Sequence, residues 1–416
     1  MSSPNNSYAA FAHKEFSFFV LIRLLMTIAF SIQFIVVEWK VYDLTHSPLH
    51  LGLIGLAEII PAFGFSFISG HIIDKSEKRN ALLICFFLSL FISAGIGYVL
   101  SDGFINSYSI ETLLLFIYVL IFLFGAVRAF YIPSGFSLFS LILPKKLYVN
   151  GTTWSSSAWQ IGAVVGPALG GLFYGLIGSS STVFISTSLI TIGICLLFQI
   201  QSKPIHYLTS EPIIKSLAKG FGFIFNQKVI LSALLIDMFA VLFGGAVALI
   251  PVFAKDILHV GPEGAGLLRS APSLGAIITM FIMAKQPIKN KPGEKLLFFI
   301  FGFGLCMIGF GLSKNFWLSA VFLLLSGIFD GVSVVLRSTI LQILTPDELR
   351  GRVSAINSMF VGSSNELGAF ESGVAAKYLG PVLATVSGGF ITLGVVAVAW
   401  FNSSELKKLS FSEEKN

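Results

Sequence analysis

The chain has 416 residues, of which 55% are hydrophobic and only 12% charged, with 42 Phe, 40 Gly and a formal net charge of +6. Soluble domains carry about 25% charged residues, so the composition excludes a water-soluble globular domain and points to a polytopic membrane protein. The basic residues form short clusters between apolar segments without interleaved aromatics, which excludes a nucleic-acid surface and reads as membrane topology. Cys85, Cys195 and Cys306 all lie within apolar runs, and this odd set supports neither a disulfide framework nor a thiolate metal site; they read as packing residues. The first apolar segment carries Arg23 and Glu38 and lacks a short apolar core followed by small residues, so it does not read as a cleavable signal peptide.

A helix needs about 20 apolar residues to cross roughly 30 Å of hydrocarbon. Such runs are expected at 16–42, 51–72, 81–101, 111–139, 151–176, 181–200, 229–254, 263–284, 295–313, 316–343, 351–378 and 381–401. The longest polar connection, 201–228, separates an N-terminal half of six spans, 1–200, from a C-terminal half, 229–416. Alternate loops hold the basic clusters Lys75, Lys78 and Arg79; Lys145 and Lys146; Lys203, Lys215, Lys219 and Lys228; Lys285, Lys289, Lys291 and Lys295; and Arg350 and Arg352. Lys14, Lys407, Lys408 and Lys415 fall on the same side, whereas the opposite side has Lys40, Lys255, Lys314 and Lys377. Cytoplasmic loops gather Lys and Arg, so both termini and the linker are expected in the cytoplasm. Trp39, Tyr42, Trp317 and Trp400, near span ends, fit interfacial anchors.

The two halves repeat one another. GLAEIIPAFG (Gly55 to Gly64) and GLLRSAPSLG (Gly266 to Gly275) share Gly, Pro and Gly spacing at an offset of 211, with Glu58 in the first and Arg269 in the second. GAVRAFYIPSGFSLFSLILPKKL (Gly125 to Leu147) aligns with GIFDGVSVVLRSTILQILTPDEL (Gly327 to Leu349) at an offset of 202, which also pairs Gly166 with Gly368 and Gly171 with Gly373. Both copies start on the same side, so the repeat is parallel, an arrangement in which two halves rock about a midplane site.

On these residues the chain resembles the major facilitator superfamily along nearly its whole length. GHIIDKSEKRNALL looks like that family's loop signature between the second and third spans, with Gly70, Asp74, Lys75, Lys78 and Arg79 at matching places and Glu77 where glycine is usual. The resemblance implies a loop that latches one half to the other when the cytoplasmic side closes; a merely solvated basic loop is the alternative. Gly70 would allow close helix contact, and Asp74 would face a helix N-terminus or a basic residue. GAVVGPALGG, from Gly162 to Gly171, resembles the fifth-helix signature of the family's antiporters through Gly166, Pro167, Gly170 and Gly171. Its Pro would bend the helix and its glycines would offer a smooth face, either as an exporter-type hinge or as a kinked packing surface. WKVYDLTHSPLHLGLIGLAEIIP, RAFYIPSGFSLFSLILPKKL and LRGRVSAINSMFVGSSNELGAFESGVAA look like the bacterial efflux branch that includes macrolide exporters and the enterobactin exporter.

Ionisable residues inside spans are costly and default to functional candidates. They are Arg23, Glu38, Glu58, Arg128, Asp237, Arg269, Asp330, Arg337, Glu366 and Glu371. Glu38, beside Trp39 and Lys40, reads equally as a snorkelling carboxylate or a cavity residue, and Asp237 as a residue that solvates the cytoplasmic mouth or serves the site. Asp330 and Arg337 are seven apart and share a helix face at a separation of ~10 Å. Arg128 stands where Asp330 stands in the other half, and the family's fourth and tenth helices line the central cavity, so the three form either an electrostatic set across it or a structural ion-pair network. Glu366 and Glu371 are about 140° apart around the axis and are not expected to share a cavity; Glu366, with Asn365 beside it, could hydrogen-bond across the interface between halves. Carboxyl groups in low dielectric can titrate near neutrality, as a proton-coupled step requires. Glu58 is therefore the first candidate for proton carrier and Asp330 the second, with Glu366 a further candidate; a purely structural Glu58 is the competing reading.

No phosphate-binding GxxxxGK[ST] loop is present, and the six His have no metal-ligand spacing, so neither an enzyme nor an ATP-driven pump is indicated and no cofactor or metal is expected. The expected protein is an all-α, twelve-helix, proton-coupled exporter of a small amphipathic or charged molecule, working as a monomer in the bilayer of a bacterial cytoplasmic membrane. A nutrient importer of the same fold is the alternative, and a non-transporting receptor, for which the extramembrane loops are short, the remote one.

Overall fold

The computed structural model describes residues 8–203, 213–286, 288, 290–346 and 349–409. Lys289, Lys415, most of the first half of the linker and the side chain of Lys215 lie outside the described residues. Among those residues every regular element is a helix, because a chain crossing lipid must satisfy its backbone hydrogen bonds within each segment.

Twelve long helices follow the apolar runs: α1 (Lys14–Thr45), α2 (Pro48–Lys75), α3 (Lys78–Val99), α4 (Ile110–Ile142), α5 (Tyr148–Ile177), α6 (Ser179–Leu197), α7 (Lys228–Gly244), α8 (Pro262–Lys285), α9 (Pro292–Leu312), α10 (Phe316–Leu344), α11 (Arg350–Leu379) and α12 (Pro381–Asn402). Eleven of these segments are long and apolar enough to cross a membrane. The exception, α11, has the length, 30 residues, but carries Arg350, Arg352, Glu366, Glu371 and Lys377. Starts are set by side-chain caps: Glu77 accepts from the backbone of Arg79 and Asn80, Ser109 from Thr112 and Asn315 from Leu318. Gly178 and Gly380, at φ +80 and +82, make the tight joins α5–α6 and α11–α12 and are themselves 202 residues apart.

The seventh span departs from the expected straight helix over 229–254. Regular α7 ends at Gly244, and the chain continues through a 3-10 turn at Ala246–Leu249, a turn at Ile250–Val252 and a π turn at Phe253–Ile257. The Gly244–Gly245 pair lowers helix propensity and Pro251 removes a donor, so the last third of this span cannot hold a regular ladder. Its counterpart α1 has no such residues and runs unbroken for 32 residues.

The residues group into two compact units. Unit 1 comprises Met1–His46, Ala57–Thr209 and Gly261–Ser270; unit 2 comprises Ser47–Leu56, Ser210–Val260 and Ala271–Asn416. In unit 1, α1 packs on α5 and α6, and α3 on α4 and α6. In unit 2, α7 packs on α11 and α12, and α9 on α10 and α12, the same four pairings six helices later. Phe16, Met26, Phe86, Leu138 and Ile190 centre the core of unit 1, and Ala233, Leu296, Leu297, Leu336 and Ile340 that of unit 2. A Cβ on Gly125 would stand 2.2 Å from the carbonyl oxygen of Glu58 and 2.9 Å from Pro61, and one on Gly327 would stand 1.9 Å from the carbonyl oxygen of Pro272. These glycines let α4 close on α2 and α10 close on α8 through matching Gly–Pro contacts, so the sequence repeat is a repeat of packing.

Three surface expectations change. Trp39 and Tyr42 are buried in unit 1 and do not anchor the interface, whereas Trp317 and Trp400 are exposed. Cys85 and Cys306 are buried packing residues, but Cys195 faces outward. Gly70 has open space beside it and makes no close helix contact.

Candidate functional site

The charges within the spans sort into pairs and singles. In unit 1, the guanidinium of Arg128 on α4 meets the carboxylate of Glu58 on α2, whose side chain is 2% exposed against 35% for Arg128. The close approach at Gly125, one turn before Arg128, brings the α2 backbone at Glu58 within reach. Also in unit 1, Arg269 at the start of α8 lies 3.4 Å from the buried Glu38 of α1. Glu38 is therefore an ion-pair partner and not a snorkelling interfacial carboxylate.

In unit 2, Arg337 on α10 pairs with Asp237 on α7, both side chains deeply buried, and the Ser333 hydroxyl lies 3.4 Å from the same carboxylate. Asp237 is therefore no solvating group at the cytoplasmic mouth; it joins α7 to α10. Of the three residues expected to form an electrostatic set, Arg128 is paired with Glu58 in unit 1 and Arg337 with Asp237 in unit 2. A buried pair of this kind resists loss of one partner, because the survivor is left charged in low dielectric.

Asp330 differs from all of these. It is the fifteenth residue of the 29-residue α10, partly buried, and has no ion-pair or hydrogen-bond partner among the described residues. Arg337 stands two turns away along the same helix and is held by Asp237. Arg23 on α1 is partly buried, with an Nε that has no hydrogen-bond partner. On α11, Glu366 abuts Gly55 at the start of α2, while Glu371 sits half-buried beside Ser372. Sequence reasoning missed Gln33, buried on α1 with an unpartnered Oε1, and Ser333; each is a polar residue inside an apolar run, the signal used for the charged ones but not applied to neutral side chains.

The glycine-rich segment of α5 divides by face. Gly162, Gly166 and Gly170 lie against Thr27, Ser31 and Ile35 of α1, and α5 continues as helix through the buried Pro167. Gly171 instead meets Pro262 and Gly266 of α8. The counterparts in unit 2 repeat this arrangement, with Gly368 on Leu242 of α7 and Gly373 on Pro48 and Gly52 of α2.

The basic loop after α2 is largely a capping device. Lys78 donates to the carbonyl oxygens of Ile73, Asp74 and Ser76 at the end of α2. Arg79 reaches the carbonyls of Leu197 and Phe198 at the end of α6, 3.4 and 3.3 Å away. Glu77 holds an ordinary extended backbone, φ −67 and ψ 124, and needs no glycine because it serves as the N-cap of α3. Asp74 and Lys75 are exposed.

A duplicated set of six membrane helices, with ionisable side chains in mid-span, defines a polytopic solute transporter and not an enzyme. Residues 19–369 match the family model of the Major Facilitator Superfamily, and the chain belongs to that family. It is 24% identical over 396 residues to the uncharacterised MFS-type transporter YfmI of Bacillus subtilis (strain 168), covering 92% of this chain and 94% of that one. It is 23% identical over 386 residues to the enterobactin exporter EntS of Escherichia coli O1:K1 / APEC, covering 92% and 91%. The fold matches a bacterial homolog of the human lysosomal transporter Spinster at a TM-score of 0.72, with 16% identity and 95% and 97% of the two chains covered. It matches a D-xylose-proton symporter at 0.74, with 12% identity and 94% and 99% covered.

Proposed function

We propose that this transporter is a proton-coupled exporter of a small amphipathic or charged molecule, of the drug-like or siderophore kind, in a bacterial cytoplasmic membrane with both termini cytoplasmic. The observation that carries the coupling is Asp330, a carboxylate at the middle of α10 that has, among the described residues, no ion pair of the kind made by Glu38, Glu58 and Asp237. A carrier has to take up and give back its proton without breaking a helix-joining ion pair, so Asp330 takes precedence over Glu58, which is held by Arg128. The full-length likeness to the enterobactin exporter supports the outward direction.

In this reading the halves 1–200 and 229–416 rock about the midplane, the linker 201–228 joining them. A proton from outside biases one state and substrate from inside biases the other. The glycine contacts Gly171–Gly266 and Gly52–Gly373, at the ends of α8 and α2 away from the termini, part and re-form in each cycle. The protein serves as a monomer, since each copy contains the complete site.

Proton flux in liposomes loaded with a pH-sensitive dye tests this. Lipophilic cations, macrolides and catechol siderophores are applied to wild type, Asp330→Asn and Glu58→Gln. A compound that drives proton movement in wild type and Glu58→Gln but not in Asp330→Asn supports the assignment. Flux lost in Glu58→Gln but kept in Asp330→Asn returns the role to Glu58, and accumulation of compound together with protons favours an importer.

A further inference from the structure

A groove of about 530 Å³ lies between α9 and α12 in unit 2, beside the C-terminal segment. Its walls are Phe298, Phe301, Leu393, Ala397, Trp400 and Phe401. Phe298 is 64% and Phe401 81% exposed, as suits a surface that faces acyl chains. Apolar exposure alone is ordinary on a membrane protein; the charge at one end of this groove is not.

The first turn of α9 and the short helix Ser404–Lys408 meet at the mouth, because Gly293 admits the carbonyl of Leu406 where a Cβ would stand 1.9 Å from it. That contact brings Lys295 and Lys407 to one rim. Glu294, the acidic residue there, is neutralised by Lys291 at 3.0 Å, and Glu405 lies 3.4 Å from Lys228. Lys295 has no ion-pair partner among the described residues, and Lys407 Nζ stands 5.0 Å from the ring centre of Trp400. The rim is thus cationic while the floor is apolar.

The equivalent place in unit 1, between α3 and α6, is finished differently. There Arg79 is spent on the carbonyls of Leu197 and Phe198 and lies 5.6 Å from the Phe198 ring. The first half commits its basic group to protein carbonyls; in the second half Lys407 lies over Trp400, and neither Lys295 nor Lys407 has an ion-pair partner among the described residues.

We propose that this groove holds one anionic phospholipid, its phosphate between Lys295 and Lys407 and its acyl chains along Phe298, Phe301 and Ala397. Lysines at the headgroup level attract anionic lipid, and Trp and Phe suit the same depth. The site is separate from the mid-span charges and independent of which solute is carried.

The test is native mass spectrometry of the full chain in detergent, titrated with phosphatidylglycerol, with phosphatidylcholine of the same acyl chains, and with inorganic phosphate alone. One phosphatidylglycerol is expected to be retained about tenfold more tightly than phosphatidylcholine, and each of Lys295→Gln and Lys407→Gln to weaken it about fivefold. Ala397→Trp, which fills the slot from an exposed position, is expected to abolish that occupancy while the unfolding midpoint in lipid-free detergent stays unchanged. Equal binding of the two lipids by wild type, or undiminished phosphatidylglycerol binding in Ala397→Trp or in the double lysine variant, overturns the proposal. Displacement of the lipid by millimolar inorganic phosphate also overturns it, because the site would then be an anion site and not a lipid site.

Discussion

α4 and α10 are copies of one helix put to different uses. Gly125 and Gly327 make the same close approach, to α2 and to α8, so the backbone packing of the ancestral unit persists in both. Three residues later the copies diverge. Arg128 meets Glu58, whereas Asp330 has no ion-pair partner among the described residues and the cation further along its helix, Arg337, is held by Asp237. The difference teaches that small residues fix how the helices pack, while charge is free to change sign between the halves. Paired charges join helices, and Asp330 is the residue to which the proposed proton coupling is assigned.

The sharpest way to break this comparison is to remove half of a buried pair. Arg337→Met should lower stability by about 3–5 kcal/mol, and Asp237→Leu/Arg337→Met should restore most of that loss. Thermal unfolding in detergent reads both; a double variant no better than the single would mean that the pair does not join α7 to α10. Next in size, Gly125→Ala and Gly327→Ala should each cost about 1–3 kcal/mol, since the added methyl meets backbone carbonyls that cannot move aside. Similar losses support equivalent packing in the two units, and a loss at one site only would break the symmetry. Glu77→Gly, which supplies the residue usual in the loop signature, should destabilise α3 by a few tenths of a kcal/mol as the cap is lost. Asp330→Asn should fall within about 0.5 kcal/mol of wild type, because no partner is left unsatisfied.

Much of this architecture is legible in the sequence. Apolar runs located the helices, and the Gly and Pro offsets identified the duplication, because the same residues that let helices approach each other recur at fixed spacing. The break in α7 is not visible to hydropathy, since Gly244 and Gly245 leave the run apolar while ending its ladder. Trp39 and Tyr42 misled because nearness to a span end does not say which face of α1 they occupy. The candidate site was legible in its membership but not in its pairing. Spacing along α10 put Asp330 and Arg337 on one face, yet two turns of separation exceed ion-pair reach, and Arg337 finds Asp237 on a helix far away in sequence. Likewise Glu38 and Arg269 come from α1 and α8, a contact that no local pattern encodes.

The most direct test of the central claim is the number of protons released when a transported compound binds, read with a pH indicator in weakly buffered detergent solution. Wild type and Glu58→Gln are expected to release about one proton per molecule bound, because substrate and proton compete for states of the same carrier, and Asp330→Asn to bind the compound without release. Undiminished proton release by Asp330→Asn would contradict the assignment of coupling to the mid-helix carboxylate of α10.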